Sequence, residues 1–357
     1  LFQKFAEVIS YILNGFFTAF FVFTGVFLNV ICVIIHAKYN RRNTPIIHYY
    51  LIALTGWQTA LLINAFFLYS FPTLMLGRIE QGGYAYVYPI AYTLANATHT
   101  ATVWIVLMLT IDRYFALCRP LTHHVGGGRS RTKWLVILSS IFAVVFCMPR
   151  YFEICVVTAC ESDGTNCFPM IIQTNFSSNP TYFKIYRIAL VTLTVTVLPC
   201  VLIFIFTLTI SCELRRAYLR RKSLCPKTSD QAVRTRKLEM RKDRKANIML
   251  VLVIAKFLLS DVLPTVADVV ELVMGSEVFN VSSTATILVA ISNFLLVVNC
   301  STNFWVFLLW GKHFRDMFKE LMVTVISCAK LSPFSKRSVS LLELISLRCS
   351  SSVFYCF

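Results

Sequence analysis

The chain predicts an all-α membrane protein, a seven-transmembrane helix bundle with a short amphipathic helix after the seventh span. Three observations carry that prediction. Of 357 residues, 57% are hydrophobic and only 14% charged, more apolar surface than a soluble fold can hide. Seven apolar stretches approach the length of about 20 residues that a helix needs to cross a hydrocarbon core about 30 Å thick. The basic residues that separate these stretches fall almost entirely on one side.

The stretches are residues 10–35, 47–76, 84–111, 134–149, 188–212, 246–270 and 281–310. The fourth is the shortest and reaches full length only if Tyr151 and Phe152 are included. The sixth alone carries charges inside it. Of the 34 Lys and Arg, 28 lie on one face, five on the other, and Lys256 lies within a span. Basic loops stay in the cytoplasm, so the amino terminus is read as extracellular and the carboxy terminus as cytoplasmic, in the plasma membrane. The net charge of +17 is then an inner-face property, suited to anionic inner-leaflet lipids rather than to nucleic acid. Residues 1–9 read as a short extracellular terminus, cut short at Leu1, residues 10–311 as the seven-span domain, and residues 312–357 as the amphipathic helix and tail.

Several of the 13 cysteines lie in spans, where a thiol acts as a small apolar group. Cys155, Cys160 and Cys167 cluster between spans four and five, on the oxidising side. A Cys160–Cys167 bond would close a short hairpin, a gain of about 2–3 kcal/mol by loop entropy. Cys328, among basic residues after the last span, is a palmitoylation candidate, with an unmodified thiol as the plain alternative. Asn175-Phe176-Ser177 and Asn280-Val281-Ser282 are glycosylation sequons in outer loops; Asn96-Ala97-Thr98 and Asn299-Cys300-Ser301 share the spelling but lie in spans.

Thr110-Ile111-Asp112-Arg113-Tyr114 closes the third of the seven spans, and Gly25-Val26-Phe27-Leu28-Asn29 lies in the first. Tyr88-Pro89-Ile90-Ala91 and Pro149-Arg150-Tyr151-Phe152-Glu153 mark the third and fourth, and Asn299-Cys300-Ser301-Thr302-Asn303-Phe304 the seventh. In this order the segments resemble the rhodopsin-like G-protein-coupled receptors and, among them, the FMRFamide-type neuropeptide receptors of invertebrates. The resemblance implies helix kinks at Pro199 and Pro264, and a cytoplasmic switch of Asp112, Arg113, Tyr114, Asn303 and Phe307. It implies an amidated peptide outside, a heterotrimeric G protein inside with arrestin as a further partner, and no cofactor or metal. At rest Arg113 should pair with Asp112; on activation it should be released as span six swings outward.

The departures from that family matter equally. Gln58 stands where its second-span Asp helps to hold sodium, so sodium modulation is not expected. With no Cys between Cys32 and Cys118, the disulfide from span three to the outer loop cannot form. Phe307 replaces a tyrosine, and Ser139 or Ser140 sits at the depth of the span-four Trp.

Charges inside a membrane are costly and default to function. Asp261, Asp268 and Glu271 fall within a sector of about 100° of span six, taking 100° per residue. With Glu153 they offer carboxylates to the guanidinium of an Arg-Phe-amide peptide, and Tyr92, His99, Tyr186 and Phe294 offer a lining. The plain readings are wetted helix ends for Asp268 and Glu271, a satisfied core histidine for His99 and ordinary packing for the aromatics. Lys256 either snorkels to the interface or pairs within the bundle. The leading function is therefore a neuropeptide receptor. The alternatives are a chemosensory receptor for small molecules and a decoy that binds without signalling. A transporter is disfavoured because no inverted repeat is visible, and an enzyme because no metal-spaced or nucleophile motif appears.

Overall fold

The computed structural model of the protein describes residues 2–40, 47–76, 83–119, 129–160, 167–177, 179–223 and 230–330. Six of its helices are long and apolar enough to cross a membrane: Gln3–Ala37 (span one), Ile47–Met75 (two), Tyr84–Cys118 (three), Ser130–Glu153 (four), Pro180–Arg216 (five) and Ser283–Ser301 (seven). The stretch expected as the sixth lies within the helix Asp230–Met274. These are the seven helices of the bundle.

Consecutive helices one to four pack side by side, three also packs on five, and seven closes the ring against one, two and six. Span three is thus the central post. Its interior half includes Ala101, Val103, Ile105, Val106 and Leu109, all fully buried or nearly so. Tyr50, Leu54, Ile203, Ile254, Phe257 and Phe307 complete the same core from the other helices. Outward-facing residues such as Phe20, Phe23 and Phe27 on span one, or Leu138, Ile141 and Val145 on span four, recur every three or four residues and stay exposed. That apolar belt is a surface for lipid, since neither polar pairing nor protein covers it.

Several helix ends run beyond the hydropathy pattern, those of spans one and five among them. Span one is helical from Phe2, because Ala6 already packs inside the bundle. Span five is helical from Pro180, so Lys184 and Arg187 belong to its first turns rather than to a loop. The cause is local. Asn179 Oδ1 accepts from the backbone N–H of Thr181 at 2.9 Å and of Tyr182 at 3.4 Å, and Pro180 needs no hydrogen bond at the first helical position. Span four ends its α-helix at Cys147 and continues as a 3₁₀ turn, Met148–Glu153, to include Tyr151 and Phe152.

Widened turns interrupt several spans. The stretch Thr192–Val197 is π-helical and lies just before Pro199, whose ring would otherwise press on the preceding turn. Pro264 lies inside the sixth helix, where it removes one backbone donor. Span seven breaks at Thr302, between Ser283–Ser301 and Asn303–Trp310.

At one end of the bundle, strands β1 (Ile154–Cys160) and β2 (Cys167–Gln173) form an antiparallel hairpin. Its register pairs Ile154 with Gln173 and Cys160 with Cys167, and the last pair is a disulfide. We call this the hairpin end. At the other, basic end, the helix Lys312–Lys330 turns back along the bundle, with Phe314 buried against Phe304 and Phe307. Arg315 Nη1 donates to the carbonyls of Leu308 at 3.1 Å and Leu309 at 2.7 Å, satisfying acceptors that the end of the preceding helix leaves open.

Candidate functional site

Toward the hairpin end the helices enclose a cavity of about 350 Å³, lined among others by Tyr92, His99, Arg150, Arg187, Glu271 and Asn293. Tyr92, Asn96 and His99 recur at intervals of four and three residues, so one face of span three supplies one wall. The opposite wall comes from spans five, six and seven. Cations and carboxylates face each other across it: Arg187 Nη2 lies 3.6 Å from Glu271 Oε1, each side chain about a quarter exposed. Deeper, His99 Nε2 lies 3.3 Å from Asp261 Oδ1, whose side chain is only 6% exposed. The two acids on span six whose side chains are described are therefore engaged by spans three and five, Asp261 by His99 and Glu271 by Arg187.

Beside the cavity lies a second polar cluster. Arg150 Nη1 donates to the Tyr92 hydroxyl at 2.8 Å, and its guanidinium stands 5.9 Å from the centre of the Tyr92 ring. Tyr182 donates to Glu153 Oε1 at 2.8 Å, and Tyr92 to Glu153 Oε2 at 3.4 Å. Glu153 is 2% exposed. The sequence suggests a ligand-facing carboxylate there; the residue is instead a buried tie between spans three, four and five, because two phenols converge on it from neighbouring helices. Tyr186 also leaves the wall. Its hydroxyl donates to the Phe146 carbonyl at 2.5 Å and its ring stacks on Tyr182. Phe294 turns to span one, edge-on to Phe17 and Phe21, since its neighbour Asn293 takes the cavity face. The side chains of Asp268, Asn280 and Cys328 lie outside the described residues. Asn175 is exposed in the turn after β2.

The basic end carries a different pair. Arg113 Nη2 donates to Asp112 Oδ2 at 2.6 Å, with both side chains mostly covered. Tyr114 packs on Phe206 of span five, ring centres 5.0 Å apart. Phe307, which lacks the hydroxyl of a tyrosine, is fully buried and edge-on to His36 at 5.1 Å.

Between the two ends, Lys256 pairs within the bundle instead of snorkelling. Its ammonium donates to the Asn299 carbonyl at 2.6 Å, to Asn303 Oδ1 at 2.6 Å and to Thr302 Oγ1 at 3.1 Å. The Asn303 amide in turn donates to Gln58 Oε1 on span two. Sequence reasoning also misses the roles of Arg150, which enters there only as part of the span-four motif, and of Arg187, and the bond from the Trp57 indole N–H to Ser140 Oγ at 3.0 Å. The mid-span Lys and the Arg–Glu spacing in Arg150-Tyr151-Phe152-Glu153 were the available signals. Among the described residues no group of three or more His, Cys, Asp or Glu is placed to hold a metal.

Residues 28–307 match the family described as "7 transmembrane receptor (rhodopsin family)". The chain belongs to the rhodopsin family of seven-transmembrane receptors. The receptor is 26% identical over 300 residues to an FMRFamide receptor of Drosophila melanogaster, covering 82% of this chain and 51% of that one. It is 25% identical over 260 residues to the sex peptide receptor of the same organism, covering 66% and 55%. A probable G-protein coupled receptor, frpr-1, of Caenorhabditis elegans is 25% identical over 296 residues, covering 78% and 71%. The receptor thus spans about half the length of the first two curated relatives. The family match takes in the cavity, the Lys256 cluster and the Asp112–Arg113 pair alike.

Proposed function

We propose that this is a plasma-membrane neuropeptide receptor, hairpin end outside and basic end in the cytoplasm, that binds an Arg-Phe-amide peptide and activates a heterotrimeric G protein. The observation that carries the reading is the mixed-charge cavity, in which Glu271 faces a partially hydrated arginine from span five. The contact is long at 3.6 Å and each side chain is about a quarter exposed to the cavity, so a peptide guanidinium can compete with Arg187 for Glu271. The peptide ring then has Phe146, Phe183 and Tyr92 to pack on, all lining residues. The names of the Drosophila relatives, an FMRFamide receptor and a sex peptide receptor, favour a peptide over a small environmental molecule. The role is that of a receptor and not an enzyme, since binding and a change in helix packing are all that signalling needs.

Asp112 and Arg113 form the resting latch in this reading, with Tyr114, Asn303 and Phe307 completing the switch and Pro199 and Pro264 supplying the bends. Asp268, on the outer part of span six, adds a further carboxylate to the ligand side. Asn175 and Asn280 carry glycans, Cys328 a palmitoyl chain near the anionic inner leaflet, and arrestin meets the same inner face.

The test is a calcium and cyclic-AMP screen of expressing cells against amidated Arg-Phe peptides. A sub-micromolar response, lost in Arg113→Ala while labelled peptide still binds, is the expected result. Silence despite surface expression would withdraw the peptide reading in favour of a chemosensory or decoy role. A second experiment locates the charge. Glu271→Gln should weaken an Arg-containing peptide about tenfold, equivalent to about 1.4 kcal/mol. The same peptide with citrulline in place of Arg should lose much less; equal losses would sink the exchange.

A further inference from the structure

Lys256 is a cation inside the bundle whose three acceptors are neutral oxygens, all on the broken turn of span seven: the Asn299 carbonyl, Thr302 Oγ1 and Asn303 Oδ1. Among the described residues no Asp or Glu forms an ion pair with it. A lone ammonium in so apolar a place is expensive, and charge-assisted hydrogen bonds are what offset the expense. The acceptors are available for a structural reason. The helix stops at Ser301 and restarts at Asn303, so the break at Thr302 leaves the Asn299 carbonyl open to the ammonium, and the side-chain oxygens of Thr302 and Asn303 stand beside it. The bond network then continues through the Asn303 amide to Gln58, joining spans six, seven and two in one line. Beside it the Asn299 side-chain amide is 3% exposed with no hydrogen-bond partner among the described residues, so the cluster holds a second polar group able to take up a released acceptor or donor.

Position along span six gives this arrangement a direction. Lys256 lies eight residues from Pro264 on the basic side, about 12 Å along the axis. Pro264 is the weak point of the helix, so the segment that would pivot there is the one Lys256 ties down. Resting on the reading of this chain as a receptor whose span six moves, we propose that Lys256 is a tethered internal cation that latches span six to the broken turn of span seven. Release of its ammonium from Asn299, Thr302 and Asn303 is the step that frees the basic end. The latch is separate from the Asp112–Arg113 pair, which joins neighbouring residues of span three.

The experiment needs neither peptide nor G protein. The receptor in lipid nanodiscs carries one spin label near the basic end of span six and one at Ser130 on span four, and the label-to-label distance distribution is measured. Wild type should show one dominant short distance. Lys256→Met, similar in length but uncharged, should raise the long-distance population about tenfold, and Asn303→Asp, which gives the ammonium an anionic partner, should reduce it below wild type. Lys256→Arg should stay near wild type. Identical distributions in wild type and Lys256→Met would overturn the latch, as would equal broadening by Lys256→Met and Lys256→Arg, which would mark a packing role only. If Lys256→Met does not reach the membrane, Asn303→Asp decides by itself: no narrowing overturns the proposal. A silent peptide screen and a failed latch are separately visible, because the label distances are read without any ligand.

Discussion

Arg150→Ala is expected to destabilise the receptor by about 2 kcal/mol, since it removes a charge-assisted hydrogen bond to the Tyr92 hydroxyl, through which the guanidinium reaches the buried Glu153 carboxylate. The reason is the carboxylate it leaves behind. Glu153 is 2% exposed, and without the neighbouring guanidinium it keeps only the phenols of Tyr182 and Tyr92. Those two donors stay with Glu153, so the loss should fall short of the cost, about 3–5 kcal/mol, of breaking a directly paired buried charge. Thermal unfolding in detergent measures it, and the double variant Arg150→Met/Glu153→Leu discriminates the cause. If an orphaned charge is the problem, removing both partners restores most of the stability; if the double variant is worse than the single, the cluster acts by packing. The same measurement on Arg187→Ala should show a smaller loss, since that contact is long at 3.6 Å and its side chains are more open than the Glu153 cluster. The contrast assigns the two arginines of the cavity to different work. Arg150 joins span four to span three at the end where the family's span-three disulfide is absent, and in the proposed reading Arg187 trades partners with the peptide.

This division is not legible in the sequence. Hydropathy places the spans because a membrane demands a long apolar helix, and that demand is written residue by residue. The positive flanks are equally plain. Side-chain destinations are not, because they depend on the rotation of one helix against another. Glu153 and Phe294 both sit at the depth of the cavity, yet one is drawn away by the phenols of spans three and five and the other by Phe17 and Phe21 of span one. Tyr92 and His99 are legible because span three is the central post and most of its faces meet protein. Lys256 stays ambiguous in the sequence for the same reason that it is interesting in the structure: no carboxylate stands at helical spacing from it on its own face, and its acceptors lie on another span, one of them a carbonyl left open where span seven breaks at Thr302.

Gly25→Val should be the second severe change, and here the cause is steric distance alone. A Cβ on Gly25 would lie 2.5 Å from Ser301 Cβ, 2.9 Å from Ser301 Cα and 2.9 Å from Leu62 Cδ1. Leu62 can rotate aside, but the two Ser301 atoms are fixed to the backbone of span seven, so span one itself must move outward. Asn29, one turn along, then loses its bond from Nδ2 to the Cys300 carbonyl, now 3.1 Å long in a fully buried site. Overpacking costs about 1–3 kcal/mol and a lost buried hydrogen bond about another 1 kcal/mol. In a bilayer, apolar surface gains little by leaving lipid for protein, so close packing at small residues is much of what holds span one to the bundle. A melting curve and surface expression of Gly25→Val, beside Gly25→Ala and the double variant Gly25→Ala/Ser301→Gly, test this. Loss should follow side-chain size, and Ser301→Gly should recover only part of the Gly25→Ala loss, because the backbone of span seven at position 301 would still crowd the added methyl group. Full recovery would place the clash at Ser301 Cβ alone, and no loss in any variant would mean that spans one and seven leave room for a side chain at Gly25.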